Sequence, residues 1–182
     1  TQTNLTVELG LQTIHNSTLE YINRGYEHKK FCEGFSKLKK RKIRTCLHII
    51  NGLPFETEEM MLETAKEVAR LSPEAVKIQM LHIIKGTRLE KIYNEGLELL
   101  SADEYIDIVV KQLEYLPPET VIERITGDGD KSKLIAPMWS ANKIAVLGGI
   151  DKRQAQLDSI QGKKYELCKQ LIILSDYSYI RQ

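Results

Sequence analysis

Apolar and polar residues alternate from Leu5 to Gln12. Leu5, Val7, Leu9 and Leu11 fall on one side; Thr6, Glu8, Gly10 and Gln12 fall on the other. A period of two predicts a strand with one polar face. Ser17 and Glu20 follow at capping-box spacing, and Leu19 and Ile22 carry a helix towards Asn23, Arg24 and Gly25. After Gly25, His28, Phe31, Cys32, Phe35 and Leu38 form one helical stripe. A β-rich run from Ile43 to Ile50 is stopped by Asn51-Gly52-Leu53-Pro54. Thr57, Glu58 and Glu59 open a helix whose buried face is Met61, Ala65, Val68 and Leu71 or Ala69, and Ser72-Pro73 ends it. A third strand is predicted from Ala75 to Ile84, with Lys85-Gly86-Thr87 as its turn. Thr87 with Glu90, and Ser101 with Glu104, predict two more capping boxes, with Gly96 stopping the first of these helices. Ile106, Val109, Val110, Leu113 and Leu116 give the second its apolar face, and Pro117-Pro118 closes it. Val121 to Ile125 reads as a short strand, and Gly127 to Lys133 as a polar loop. A helix from Ala141 to Leu147 is predicted to break at Gly148-Gly149, with Asp151 capping a last helix towards Gln161. No structure is assigned to Tyr165–Gln182.

Strand–helix alternation with tight turns is α/β architecture. Right-handed crossovers make the strands parallel and gather their C-terminal ends at one rim, where ligands bind. Gln12, the Gly52-Leu53-Pro54 turn and the Lys85-Gly86-Thr87 turn are expected together there. Glu8 and Gln12 share one parity, as do Arg44, Cys46 and His48, so both sets can face one side of the sheet.

The 182 residues suffice for one domain with a buried core. With 26 basic and 25 acidic residues the net charge is +1, and no overall field points to nucleic acid or a membrane. Apolar runs are too short to span a bilayer, and no signal peptide is recognisable. Cys32, Cys46 and Cys168 show no metal-ligand spacing; they read as buried thiols in a reducing cytoplasm. The run Lys37, Lys39, Lys40, Arg41, Lys42 and Arg44 is either a solvated helix end or a landing patch for RNA phosphates. The 127–133 loop lacks the spacing of a calcium loop and the Gly-Lys-Ser/Thr of a P-loop. His82, in parity with Val76, Ile78 and Met80, reads as a satisfied histidine beside the core; Met138 and Trp139 read as packing. The abrupt start, with no initiator methionine and a strand by Leu5, suggests a fragment.

At these residues the chain resembles a radical SAM enzyme. Glu8-Leu9-Gly10-Leu11-Gln12-Thr13 and Asn23-Arg24-Gly25 are similar to the fourth strand and helix of that superfamily's barrel, as in oxygen-independent coproporphyrinogen oxidase and, more closely, the catalytic subunit of Elongator. His48 to Thr57 resembles the fifth strand with its Gly-Leu-Pro turn, and Lys77 to Thr87 the sixth. Glu123 to Asp128, Leu134 to Trp139 and Gln161-Gly162 resemble the YhcC/YtqA-like group. The resemblance runs from about Val7 to Gly162 and implies the C-terminal part of a partial (β/α)6 TIM-type barrel over residues 1–126, with a helical extension over 127–182.

It further implies S-adenosylmethionine as cofactor or cosubstrate. In the family a [4Fe-4S] cluster held by a C-x3-C-x2-C loop supplies the electron that turns it into a 5′-deoxyadenosyl radical. That loop has no counterpart here, so no metal ligand is assigned; the cluster is expected from the full-length protein, and this chain alone is expected to be inactive. Gln12 and Arg24 match the residues that hold the ribose hydroxyls and the methionyl carboxylate. His48 stands where the oxidases have a ribose-binding aspartate, Glu8 is expected to orient the arginine or the substrate, and the backbone at Leu81–Ile84 to border the adenine. The implied partners are a reductase for the cluster in the full-length protein and, from the Elongator likeness, tRNA as substrate. Self-association through the open edge of the first strand is also expected. The rival reading is a non-catalytic α/β module binding a nucleotide or RNA at the same rim.

Overall fold

The computed structural model describes residues 5–127 and 132–166. Cys168, most of the 127–133 loop and nearly all of the Tyr165–Gln182 tail lie outside the described residues. In chain order the elements are β1 (Thr6–Gln12), α1 (Asn16–Tyr21), α2 (His28–Lys40), β2 (Arg44–Asn51), α3 (Glu58–Leu71), β3 (Ala75–Met80) and β4 (Ile83–Ile84). Then come α4 (Arg88–Asn94), α5 (Ala102–Tyr115), β5 (Val121–Arg124), β6 (Leu134–Ala136), a 3-10 turn (Met138–Ala141) and α6 (Lys143–Gln156).

β1, β2, β3 and β5 form a parallel sheet in that order, joined by helical crossovers. This is the α/β arrangement that the alternating pattern predicts. Alternation along each strand sorts the faces. Leu9 and Leu11 of β1, Leu47 and Ile49 of β2, and Val76 and Ile78 of β3 join one core with Phe31 and Phe35 of α2, Val68 of α3, and Ile106, Val109, Val110 and Leu113 of α5. Each fully buried aliphatic chain contributes about 1.5–3 kcal/mol relative to exposure, so this layer fixes the strand register. A one-residue slip would turn the buried set outward.

Four expectations are corrected. First, α1 is not capped by Ser17 and Glu20: the helix starts at Asn16, its N-cap is His15, and no side chain caps it. Ser17 already lies inside the first turn. Arg24 also lies beyond that helix, which ends in a left-handed Asn23 (φ 60°) with Arg24 N donating to Leu19 O and Asn23 N to Glu20 O. These paired bonds are a Schellman stop. Second, the third strand ends at Met80. Ile83–Ile84 pairs antiparallel with Leu134–Ala136, because Leu81 N turns to Asn51 O and Ile83 finds its apolar partners in a second, smaller core with Leu53, Leu81 and Ala136. Third, Gly148-Gly149 does not break the helix: α6 runs through both, and Asp151 lies inside it. A Cβ at Gly149 would stand 2.5 Å from Ile106 Cδ1, so the glycine lets α6 approach α5, and Asn142 supplies the cap. Fourth, Glu90 completes only half a box, since its carboxylate accepts from Gly86 N while Thr87 Oγ1 accepts from Glu90 N. The Ser101–Glu104 box is complete.

Candidate cofactor site on the polar face of the sheet

The face turned away from the α2, α3 and α5 layer carries charge. Parallel registration sets Glu8 beside Cys46, Gly10 beside His48, and His48 beside Lys77. Side chains of one parity therefore converge across three strands. Glu8 Oε1 stands 2.6 Å from Lys77 Nζ, and Glu8 Oε2 stands 2.9 Å from His48 Nε2, a polar contact off the line of a hydrogen bond. Lys77 Nζ is 3.7 Å from Glu123 Oε2, and the Cys46 thiol donates to the same oxygen at 3.6 Å.

The electrostatics follow from these contacts. Lys77 donates to Glu8 and holds its carboxyl below the usual carboxylate range; Glu8 in turn raises the Lys77 ammonium. Burial, then Lys77, lowers His48, which outweighs the upward pull of Glu8 and keeps the imidazole neutral at pH 7. Burial and then Glu123 push Cys46 up to about 12, so it remains a thiol. A neutral imidazole beside an ionised carboxylate can donate to, or accept from, a hydroxyl.

Gln12 and Arg24 come together beside Gly10, towards the end of β1. Gln12 adopts a left-handed conformation (φ 67°) at a bulge where β1 shifts register against β2. Its Oε1 is buried with no hydrogen-bond partner. Arg24 donates from one terminal nitrogen to Gly10 O at 2.6 Å, contacts the Tyr26 hydroxyl, and lies 4.3 Å from the Tyr26 ring centroid. Its Nε is also buried without a partner. A Cβ at Gly10 would fall 2.6 Å from Gln12 Nε2 and 3.4 Å from the guanidinium, so only glycine leaves room for this approach. An unpartnered amide oxygen and an unpartnered guanidine N–H in one cradle form a donor–acceptor set whose hydrogen bonds a polar ligand entering the cradle would complete.

Glu8, His48, Gln12 and Arg24 thus share this face, with Gln12 and Arg24 at the end of β1 and Glu8 and His48 within the strands. Lys77, Glu123 and Tyr26 were not singled out from sequence, although Lys77 alternates with Val76 and Ile78 in the pattern that signals an opposite face. His82 lies beside the core as expected, but its Nε2 has no hydrogen-bond partner; burial and Lys143 lower it, and its ring fills the space where a Cβ on Gly127 would go. Trp139 is packing, as expected, with its indole N–H donating to Leu100 O at 3.0 Å and its ring 5.3 Å from that of Tyr105. Met138 is exposed. In the basic run, Lys39 is drawn to Glu74 and Ser72 O, and Arg41 donates to Lys37 O. Among the described residues, no helix is long and apolar enough to cross a membrane.

Comparison with known proteins matches this architecture. The family model described as "Radical SAM superfamily" matches residues 3–68, and that described as "Radical_SAM C-terminal domain" matches 73–156. YtqA of Bacillus subtilis is 51% identical over 166 residues, covering 91% of this chain and 52% of YtqA. The tRNA uridine(34) acetyltransferase of Methanocaldococcus jannaschii is 29% identical over 126 residues, covering 67% of this chain and 23% of that protein. In three dimensions the fold is similar to an archaeal Elp3 from Methanocaldococcus infernus, with a TM-score of 0.70 and 23% identity over 82% of this chain and 36% of that one. The chain spans about half the length of curated relatives such as YtqA. With both family models aligned in order along the sheet and its crossover helices, and with relatives of the YhcC/YtqA kind, this chain belongs to the radical SAM superfamily.

Proposed function

We propose that the polar face of β1 and β2 is the S-adenosylmethionine-holding side of a radical SAM active site, and that the whole protein modifies tRNA. The observation that carries this reading is the buried, unpartnered Gln12 Oε1 set beside the Arg24 guanidinium in the Gly10 cradle. The residues fit the cofactor's polar groups. An amide bridges two hydroxyls, and a guanidinium forks to a carboxylate. His48, neutral at pH 7, suits a ribose hydroxyl, and Glu8, held ionised by Lys77, orients the cationic groups around it.

In the family, S-adenosylmethionine at a [4Fe-4S] cluster supplies a 5′-deoxyadenosyl radical that abstracts hydrogen from an unreactive C–H. The described residues do not fit the cluster itself. Cys32 belongs to α2 on the helical side of the sheet, whereas Cys46 is a protonated thiol on the opposite face. In this reading the cluster ligands and the reductase contact belong to the full-length protein, residues 1–126 are the barrel portion and 127–182 the extension, and this chain alone generates no radical. Support for tRNA comes from the relative named tRNA uridine(34) acetyltransferase. A cytoplasmic setting belongs to the same reading.

Calorimetric titration with S-adenosylmethionine tests it. Saturable binding by the chain, lost in Gln12→Ala and Arg24→Ala, is expected. No binding by either this chain or the full-length protein would overturn the reading. Salt-steep tRNA affinity without nucleoside binding would favour the non-catalytic RNA-binding module instead.

A further inference from the structure

On the helical side of the sheet, His28 and Cys32 lie one turn apart on α2 and point at Glu67 of α3. Residues spaced i, i+4 project from one helix face, so two ligands on α2 and one from the neighbouring helix can surround a point between them. His28 Nε2 is 3.3 Å from Cys32 Sγ and 3.1 Å from Glu67 Oε1, and Cys32 Sγ is 3.7 Å from the same oxygen. With Zn–N of about 2.0–2.1 Å, Zn–S of about 2.3 Å and Zn–O of about 2.0–2.2 Å, tetrahedral ligands stand about 3.3–3.6 Å apart. The observed triangle is therefore close to one face of a zinc tetrahedron before any ion is placed.

We propose that His28, Cys32 and Glu67 form a Zn2+ site that ties α2 to α3, with solvent in the fourth position. Three further observations support that choice. A thiolate and a carboxylate supply two anionic ligands beside the imidazole, and a sulfur–nitrogen–oxygen set suits borderline-soft zinc over calcium or magnesium. The side chains are largely but not fully buried, 23% exposed for His28 and 12% for Glu67, so the cluster keeps contact with solvent. Arg70 holds the carboxylate in place, donating from Nε to Glu67 Oε2 at 2.6 Å and from a terminal nitrogen to Oε1 at 2.7 Å. Such outer contacts orient a ligand oxygen. Binding displaces the Cys32 proton to solvent, because the thiol donates to Glu67 when no ion is present. A merely structural cluster would show the same contacts but no metal affinity.

Co2+ substitutes for zinc as an optical probe, since thiolate coordination gives a sulfur-to-cobalt absorption band. The reduced, full 182-residue chain is titrated with Co2+ and then with Zn2+. The expected result is one equivalent of Co2+ with a thiolate band, displaced by Zn2+, retained in Cys46→Ser and abolished in Cys32→Ser. Glu67→Gln and His28→Ala are expected to weaken binding at least 10-fold, with circular dichroism checking that each variant folds. An equally strong band in Cys32→Ser would overturn the proposal. So would failure of the folded, reduced chain to take up a stoichiometric ion.

Discussion

Replacing Gly10 by alanine separates the fold from the site in a single substitution. The added Cβ would stand 2.6 Å from Gln12 Nε2 and 3.4 Å from Arg24. An ordinary contact is about 3.5 Å, so the Gln12 amide must retreat by about 1 Å while the guanidinium hardly moves. The displaced group is the far end of a flexible side chain, so the rotamer adjustment costs about 0.5–1.5 kcal/mol. Loss of glycine's freedom in the unfolded chain offsets about 0.4–1 kcal/mol of that. Stability to urea should therefore stay within about 1 kcal/mol of the parent. Ligand binding has no such offset. A 1 Å shift takes the amide out of hydrogen-bonding range of a ligand held by Arg24, and losing one or two such bonds at about 0.5–1.5 kcal/mol each weakens S-adenosylmethionine about 10-fold. Calorimetry in the parent and in a Gln12→Ala background completes the cycle. In the second background Gly10→Ala should have no further effect, because the group it pushes is gone. An unchanged affinity in Gly10→Ala would refute the reasoning, as would an equal loss with Gln12 already removed.

Four other measurements probe the scaffold. Gly148→Ala, at a helical position with open space around it, should stabilise the protein by about 0.5–1 kcal/mol, whereas Gly149→Ala, driven into Ile106, should destabilise it by about 1–3 kcal/mol; equal effects in thermal melts would contradict the α5–α6 packing. The buried amides of Asn51 and Gln112 exchange two hydrogen bonds of 2.8 Å, so Asn51→Leu and Gln112→Leu should each cost about 2–3 kcal/mol, with the double variant short of their sum by about 1 kcal/mol; strict additivity would deny the pairing. Burial raises the Glu74 carboxyl, but the Lys39 ammonium and the Thr45 N–H and hydroxyl outweigh it and hold it at about 2 against 4.5 in the unfolded chain; the stability this provides is full above that range and lost as pH falls from 4.5 towards 2, so Glu74→Gln should flatten the acid limb, and an identical acid profile would contradict this. β1 pairs only with β2 among the described residues and Leu5 beside it is exposed, so concentration-dependent self-association is expected in sedimentation; a strict monomer at high concentration would count against it.

The parts of the molecule legible in sequence are those governed by period. Alternation over Leu5–Gln12 and Ile43–Ile50 separates Leu9, Leu47 and Ile49 from Glu8 and His48, and the structure keeps that separation across a shared register. The same rule contains Lys77, but an alternating lysine does not announce which carboxylate it will meet, because that partner is set by how β1 and β3 register on β2. What sequence hides is tertiary compensation for a locally unfavourable choice. Two consecutive glycines should end a helix; α6 keeps them because close contact with Ile106 rewards the absence of a side chain at Gly149. Ser17 has the spacing of a cap, yet the helix begins one residue earlier and leaves it inside the first turn. Gln12 breaks more local rules than either. It has a left-handed backbone without being glycine, follows the β-bulge at which β1 shifts register on β2, and buries an oxygen with no partner. Gly149 obtains a packing contact and Asn23 a Schellman stop, but nothing within the described fold satisfies Gln12 Oε1. A residue that strains the backbone and buries an oxygen without a hydrogen bond is best understood through a ligand that supplies the absent bond, which makes Gln12→Gly a sharp converse test. That variant should relieve the backbone strain of about 1–3 kcal/mol and raise stability while it weakens S-adenosylmethionine; a less stable protein would show that Gln12 serves the fold after all.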